Sequence, residues 1–242
     1  MFLLHGFPLD HRMWQHQLSE LCERVHVVAV HLRGFGSSTL DEGQYTLAEL
    51  AQDVEFLRQH LAGNEPIWLC GLSMGGYVAL EYWRQFARNL HGLILTNTKP
   101  TADNAEAKAN RAAMAKKALE QGSWAAVEPM FAKLLSQQSL AAHPELSELV
   151  QAMMKTAAPE SIAAAQTAMA ERRDFTEQLS AIQVPTLVVA GEVDPIAPAE
   201  EGRKWSSAIP KARFEVLPGT AHLSPLEDYK AFNKLVLEFV GA

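Results

Sequence analysis

Cysteine is scarce. Cys22 and Cys70 are the only two in 242 residues, and Cys70 falls inside an apolar run. A disulfide framework is therefore not expected, and reduced structural thiols in a cytoplasmic protein are. Basic charge is short as well: 21 Lys and Arg stand against 28 Asp and Glu, a formal charge of −7. That balance argues against a nucleic-acid or anionic-membrane surface but leaves room for a local cationic pocket. No apolar run approaches the roughly 18 residues a membrane-spanning helix needs. The apolar start Met1-Phe2-Leu3-Leu4 runs straight into His5-Gly6 without a basic flank, which does not fit a signal peptide. Repeats, low-complexity tracts and flexible linkers are missing too. What remains, 48% hydrophobic and 20% charged, is ordinary globular composition. A chain of this length can bury roughly 70–75% of its unfolded surface, enough for one sizeable core.

Along the chain, Phe2-Leu3-Leu4 reads as the end of a buried strand broken by His5-Gly6-Phe7-Pro8. Trp14, Leu18 and Leu21 share a helical face after Asp10. Val25–Val30 is β-branched and predicts a strand, ending in the Gly/Ser loop His31–Ser38. Thr46 with Glu49 forms a capping box before Leu47, Leu50, Val54, Leu57 and Leu61, and Gly63 stops that helix near residue 62. Ile67–Leu72 and Leu93-Ile94-Leu95 predict further buried strands. From about Pro100 to Leu179, Ala, Met and Lys predominate and β-branched runs are missing. About four helices are expected there, broken at Gly122-Ser123, His143-Pro144 and Pro159, with apolar faces at Leu134, Leu135, Leu146, Leu149, Val150, Met153, Met154 and Met169. Strands return at 184–191 and 212–217, with a helix around 199–208 between them and a last helix expected to be capped by Ser224, Pro225 and Glu227. Strands alternating with amphipathic helices imply a parallel sheet with a site at the strands' C-terminal ends.

The stretch that carries chemistry is Gly71-Leu72-Ser73-Met74-Gly75-Gly76, between an apolar strand and the helical Tyr77–Trp83. Its glycines remove Cβ atoms that would clash where strand and helix meet, and push Ser73 Oγ out at the turn. The helix N-terminus then lies beneath that oxygen, and its free N–H groups, Met74's among them, point where a carbonyl oxygen would gain charge. Asp194 and His222 likewise follow predicted strands, so all three converge on one sheet edge. A serine hydroxyl is a poor nucleophile without a base, and an imidazole can take its proton and return it to a leaving group. Of nine histidines, position singles out His222. His11 and His16 lie on the first helix and its approach, and His60, His91 and His143 at surface-like element ends. None suggests metal-ligand spacing. Asp194 would hold the imidazole tautomer; Glu192 and Asp103 are the other carboxylates placed to do so.

The order nucleophile, acid, histidine is that of an α/β-hydrolase. The sequence resembles that superfamily through His5-Gly6-Phe7-Pro8, Arg33-Gly34-Phe35-Gly36, Gly71–Gly76, Gly191-Glu192-Val193-Asp194 and Gly219-Thr220-Ala221-His222. Leu93–Thr98 and Ala221–Ser224 are similar to 3-oxoadipate enol-lactonases and related small esterases and perhydrolases. The resemblance implies a mostly parallel sheet of about six strands, the first two of the usual eight being absent. It also implies a core formed by residues 1–98 and 181–242 and a helical cap over 99–180. The backbone N–H groups of Phe7 and Met74 would form the oxyanion hole, with no metal or organic cofactor.

Two departures stand out. His31 replaces the family's usual aspartate two residues before Arg33, leaving the bracing of that loop open. The strand at 25–30 would be a sheet edge, a pairing liability that a second copy of the chain or the N-terminal loop could cover. The expected activity is hydrolysis of a small carboxylic ester or lactone through an acyl-serine. The alternatives are acyl transfer or perhydrolysis on the same triad, or a non-catalytic module binding a small ligand. A carboxylate-bearing lactone would need a cation at the site. Lys99, Arg111, Lys133 and Arg172 are among nine in or beside the cap, and the sequence does not say which faces inward.

Overall fold

The computed structural model describes residues 1–40 and 43–241. In chain order its elements run β1 (Phe2–Leu4), α1 (Gln15–Glu20), β2 (Val28–Val30), α2 (Leu47–Ala62), β3 (Ile67–Leu72), α3 (Met74–Phe86) and β4 (Leu90–Thr96). Five helices follow: α4 (Ala105–Gln121), α5 (Ser123–Phe131), α6 (Gln137–Ala142), α7 (Glu145–Thr156) and α8 (Pro159–Ala170). The chain closes with β5 (Thr186–Gly191), α9 (Ala199–Ser206), β6 (Ala212–Leu217), α10 (Ser224–Glu227) and α11 (Tyr229–Val240).

The sheet has six parallel strands in the order β2-β1-β3-β4-β5-β6. From β1 the chain goes outward to β2 and then returns to β3 on the other side, so strand order reverses between β1 and β3. Leu4 pairs with Gly71 across that switch. The loops leaving β1 and β3 therefore emerge side by side at the C-terminal edge, the crevice where open parallel sheets bind ligands. Trp14, Tyr82, Phe35 and Phe232 are the largest fully buried side chains; Trp14 packs against Phe232 of α11, Tyr82 reaches Glu55 of α2, and Phe35 packs against His5 and Phe7.

Most expected elements form where the residues favour them. The Thr46 hydroxyl accepts the Glu49 N–H, and the Glu49 carboxylate accepts the Thr46 N–H, so α2 starts and stops as expected, with Gly63 at a positive φ of 60°. Four expectations need correction. β2 covers 28–30 rather than 25–30, because Val25 N–H is spent on Leu21 O in a preceding turn and His26 O takes the Met1 ammonium. The first helix buries Gln17 where Leu18 was expected; the Gln17 amide donates to Pro225 O and Asn233 Oδ1. The segment between β4 and β5 has five helices, not four. A break at 132–136 separates α5 from α6, and there the Ser136 hydroxyl caps α6 by accepting Ser139 N–H. Leu134 and Leu135 are buried in that turn rather than on a helix. Lastly, Ser224 caps nothing. The final helix starts at Tyr229 with Asp228 as its cap, and both Ser224 and Glu227 are engaged elsewhere.

Candidate active site

Ser73 occupies the junction of β3 and α3 at φ 53° and ψ −111°, a conformation that costs a non-glycine residue on the order of 1–3 kcal/mol. The surroundings impose it. Ser73 N–H donates to Thr96 O at 3.1 Å, and the Thr98 hydroxyl donates to Ser73 O at 2.8 Å. A Cβ on Gly71 would lie 2.2 Å from Gly75 O, and one on Gly75 2.3 Å from Leu4 O. Only glycine lets α3 press this closely on β1 and β3. Met74 is the first residue of α3, so its N–H has no carbonyl one turn back to bond.

Asp194 and His222 are both buried and joined, Asp194 Oδ2 accepting from His222 Nδ1 at 2.8 Å. Oδ2 also accepts from Asn97 Nδ2 at 2.9 Å, and Oδ1 accepts the N–H groups of Ile196 and Ala197 at 2.8 and 3.1 Å. Burial alone would push this carboxyl up. The His222 contact and the donated hydrogen bonds outweigh it and hold the carboxyl below the usual carboxylate range. With Nδ1 committed to Asp194, the imidazole has Nε2 left for the cavity that it lines together with Ser73 and Phe7.

The other two carboxylates considered for this role are elsewhere. Glu192 is exposed and accepts Gly219 N–H at 2.8 Å. Asp103 sits between Arg111 and Arg172. What the sequence reading missed is the support behind the pair. Asn97, itself at φ 47°, also donates to Ala221 O at 3.0 Å and accepts the hydroxyls of Thr96 and Ser224 at 2.9 and 2.5 Å. The one available signal was an asparagine at a strand's end, a residue type that tolerates positive φ.

The β1 loop is held from beneath. His5 is fully buried, and its Nε2 accepts Leu32 N–H at 3.1 Å, which leaves Nδ1 to donate to Gly6 O at 3.0 Å. Burial pushes its imidazole down to about 4. Arg33 grips Asp53 on α2 through two bonds of 3.0 and 2.7 Å, so that side chain is braced without an aspartate at 31. His31 ties the loop instead, its Nδ1 accepting Ser37 N–H at 2.7 Å.

Asp10, His11 and His31 bring three ligand-type atoms within 4.8 Å, a grouping the sequence spacing did not suggest. The grouped atoms already bond within the protein. With Nδ1 of His31 accepting from Ser37, its Nε2 carries the proton and donates to His11 Nδ1, while both Asp10 oxygens take Arg12. His60, His91 and His143 are exposed, as expected.

The cavity above Ser73 has a volume of about 300 Å³. Phe7, Tyr77, Met114, Met130, Met169 and Ile196 give it apolar walls, and α4, α5 and α8 supply its outer side. A family model described as the alpha/beta hydrolase fold matches residues 1–229. The chain belongs to the α/β-hydrolase fold family. Among solved structures, this hydrolase is 40% identical to a thermophilic esterase from Thermogutta terrifontis in its malate-bound form, with a TM-score of 0.97 over 99% of this chain and 88% of that one. It is 27% identical to an enol-lactonase from Burkholderia xenovorans LB400, with a TM-score of 0.91 over 100% and 90% of the two chains. Among curated relatives, 3-oxoadipate enol-lactonase 2 of Acinetobacter baylyi is 29% identical over 93% of this chain and 82% of that protein.

Proposed function

We propose that this carboxylic ester hydrolase cleaves a small ester or lactone through an acyl-Ser73 intermediate. Ser73 Oγ attacks the substrate carbonyl while His222 Nε2 takes the hydroxyl proton. Asp194 stabilises the imidazolium so formed and fixes its tautomer. The N–H groups of Phe7 and Met74 receive the oxyanion, as preorganised donors aimed at the charge that develops there. Collapse breaks the ester C–O bond, and His222 returns its proton to the departing alkoxide. For a lactone that alcohol stays attached to the acyl chain. Water then attacks the acyl-serine with His222 again as base, releasing the acid and restoring the Ser73 hydroxyl.

The observation that carries this reading is the buried Asp194–His222 bond, which commits Nδ1 of a histidine that lines the same cavity as Ser73. The enol-lactonase and esterase relatives support the substrate class. The test is kcat/KM for 3-oxoadipate enol-lactone beside a neutral short-chain aryl ester. Ser73→Ala should lower both by on the order of 10⁴-fold or more with its melting curve retained. Turnover in Ser73→Ala close to that of the unmodified protein would overturn the mechanism.

A further inference from the structure

The mechanism leaves four charged residues of the cavity unused: Lys99, Asp103, Arg111 and Lys133. Three are accounted for. Arg111 Nε bonds Asp103 Oδ2, and Arg111 Nη1 donates to Gln166 Oε1 at 3.1 Å. The other Asp103 oxygen lies 2.8 Å from Arg172 Nη2. Arg172 donates in turn to Thr101 O and Met169 O and stacks on Tyr77, its guanidinium carbon 4.5 Å from the ring centre. Lys133 is exposed at the rim.

Lys99 differs. It is half-buried, and no described residue gives its ammonium a hydrogen bond or an ion pair. The one carboxylate among the described lining residues, Asp103, is already shared by two guanidinium groups. Burial and the Arg172 and Arg111 charges together hold Lys99 below the usual lysine range, in spite of Asp103. A cation withdrawn from water without a counter-charge is costly to keep. In a protein of net charge −7, three cations against one carboxylate make the catalytic cavity locally positive.

Position completes the argument. Lys99 follows Thr98, whose hydroxyl holds Ser73 O at 2.8 Å. Lys99 and Ile196 also line a second cavity of about 480 Å³ that reaches Trp205 on α9. Lys99 thus lies on the wall of both the reaction chamber and this neighbouring cavity.

We propose that Lys99 anchors a carboxylate carried by the substrate, making this hydrolase selective for anionic half-esters or carboxylate-bearing lactones over neutral esters. The identity of the reaction rests on the acyl-Ser73 reading; the anion site does not. The test compares mono-p-nitrophenyl succinate with p-nitrophenyl butyrate, which have acyl chains of equal length. The unmodified protein should favour the succinate ester by roughly tenfold or more in kcat/KM. Lys99→Met should erase that preference mainly through KM, and Lys99→Arg should keep most of it. A preference for butyrate, or an unchanged ratio in Lys99→Met, would overturn the proposal. So would loss of the ratio in Arg111→Gln while Lys99→Met keeps it. Independently of turnover, the anion site is read by calorimetry. Succinate should bind the Ser73→Ala protein and bind at least about tenfold more weakly when Lys99→Met or Lys99→Gln is added. Absent or unaltered succinate binding contradicts the site.

Discussion

The amide of Asn97 meets four partners: Asp194 Oδ2, Ala221 O, and the hydroxyls of Thr96 and Ser224. It touches no reacting atom, yet it sets where the Asp194 carboxylate points. Asn97→Ala removes two donors and strands two buried hydroxyls, at a cost of about 2–3 kcal/mol in stability. The same change frees Asp194 and should lower kcat by roughly tenfold while moving KM less. Urea unfolding and steady-state kinetics check the two halves separately. Ser73, His222 and Asp194 were legible because each follows a strand in a chemically distinctive context. Asn97 was not, because its role depends on two loops, 97 and 124 positions later in the chain, folding against it, and no local spacing encodes that. The Ser224 assignment failed for the same reason: Ser-Pro-x-Glu has the local form of a helix start, and tertiary partners claimed both polar side chains.

At the scale of elements, Glu227 shows what such a claim achieves. Its Oε1 accepts Ala221 N–H at 2.9 Å, beside His222, and its Oε2 accepts Ser136 N–H at 2.8 Å, in the turn between α5 and α6. Leu223 N–H adds a bond to Leu134 O at 3.1 Å. One buried carboxylate therefore ties the His222 loop to the helices covering the cavity. Glu227→Ala leaves two buried N–H groups unpaired and should cost about 2–4 kcal/mol. It should also raise amide exchange together at 134–136 and 220–223, measured by hydrogen–deuterium exchange. Faster exchange in one segment alone would show that the two are not coupled. The helices of the covering segment were readable from alanine propensity and from breaks at Gly122 and Pro144. The missed break at 132–136 lacks glycine and proline; its signal is the Ser136 cap.

Across the whole molecule, the parallel sheet was legible from β-branched runs alternating with amphipathic helices, and the described strands all obey that alternation. Buried charge adds a pH dependence that the sequence could not disclose, because it depends on desolvation. His5 is held neutral down to about 4 against an ordinary 6.5, chiefly by burial. Between those values the unfolded chain binds the proton and the folded one does not, so stability falls as pH drops through that window. The His5 contribution is on the order of 3 kcal/mol across it. His16 and His31, also held low by burial, act in the same direction. Urea midpoints should decline from pH 6.5 towards about 5, above the range where the carboxylates begin to contribute. A flat profile there would mean that His5 is charged in the folded protein.

The covalent role of Ser73 is the central claim, and it can be read directly. Treatment with diethyl p-nitrophenyl phosphate, followed by peptide mass mapping, reports which side chain attacks an acyl-like centre. The account predicts one diethylphosphoryl group, on Ser73, formed in step with loss of esterase activity and not formed in Ser73→Ala. A label on another residue, or complete loss of activity with Ser73 unmodified, would contradict it.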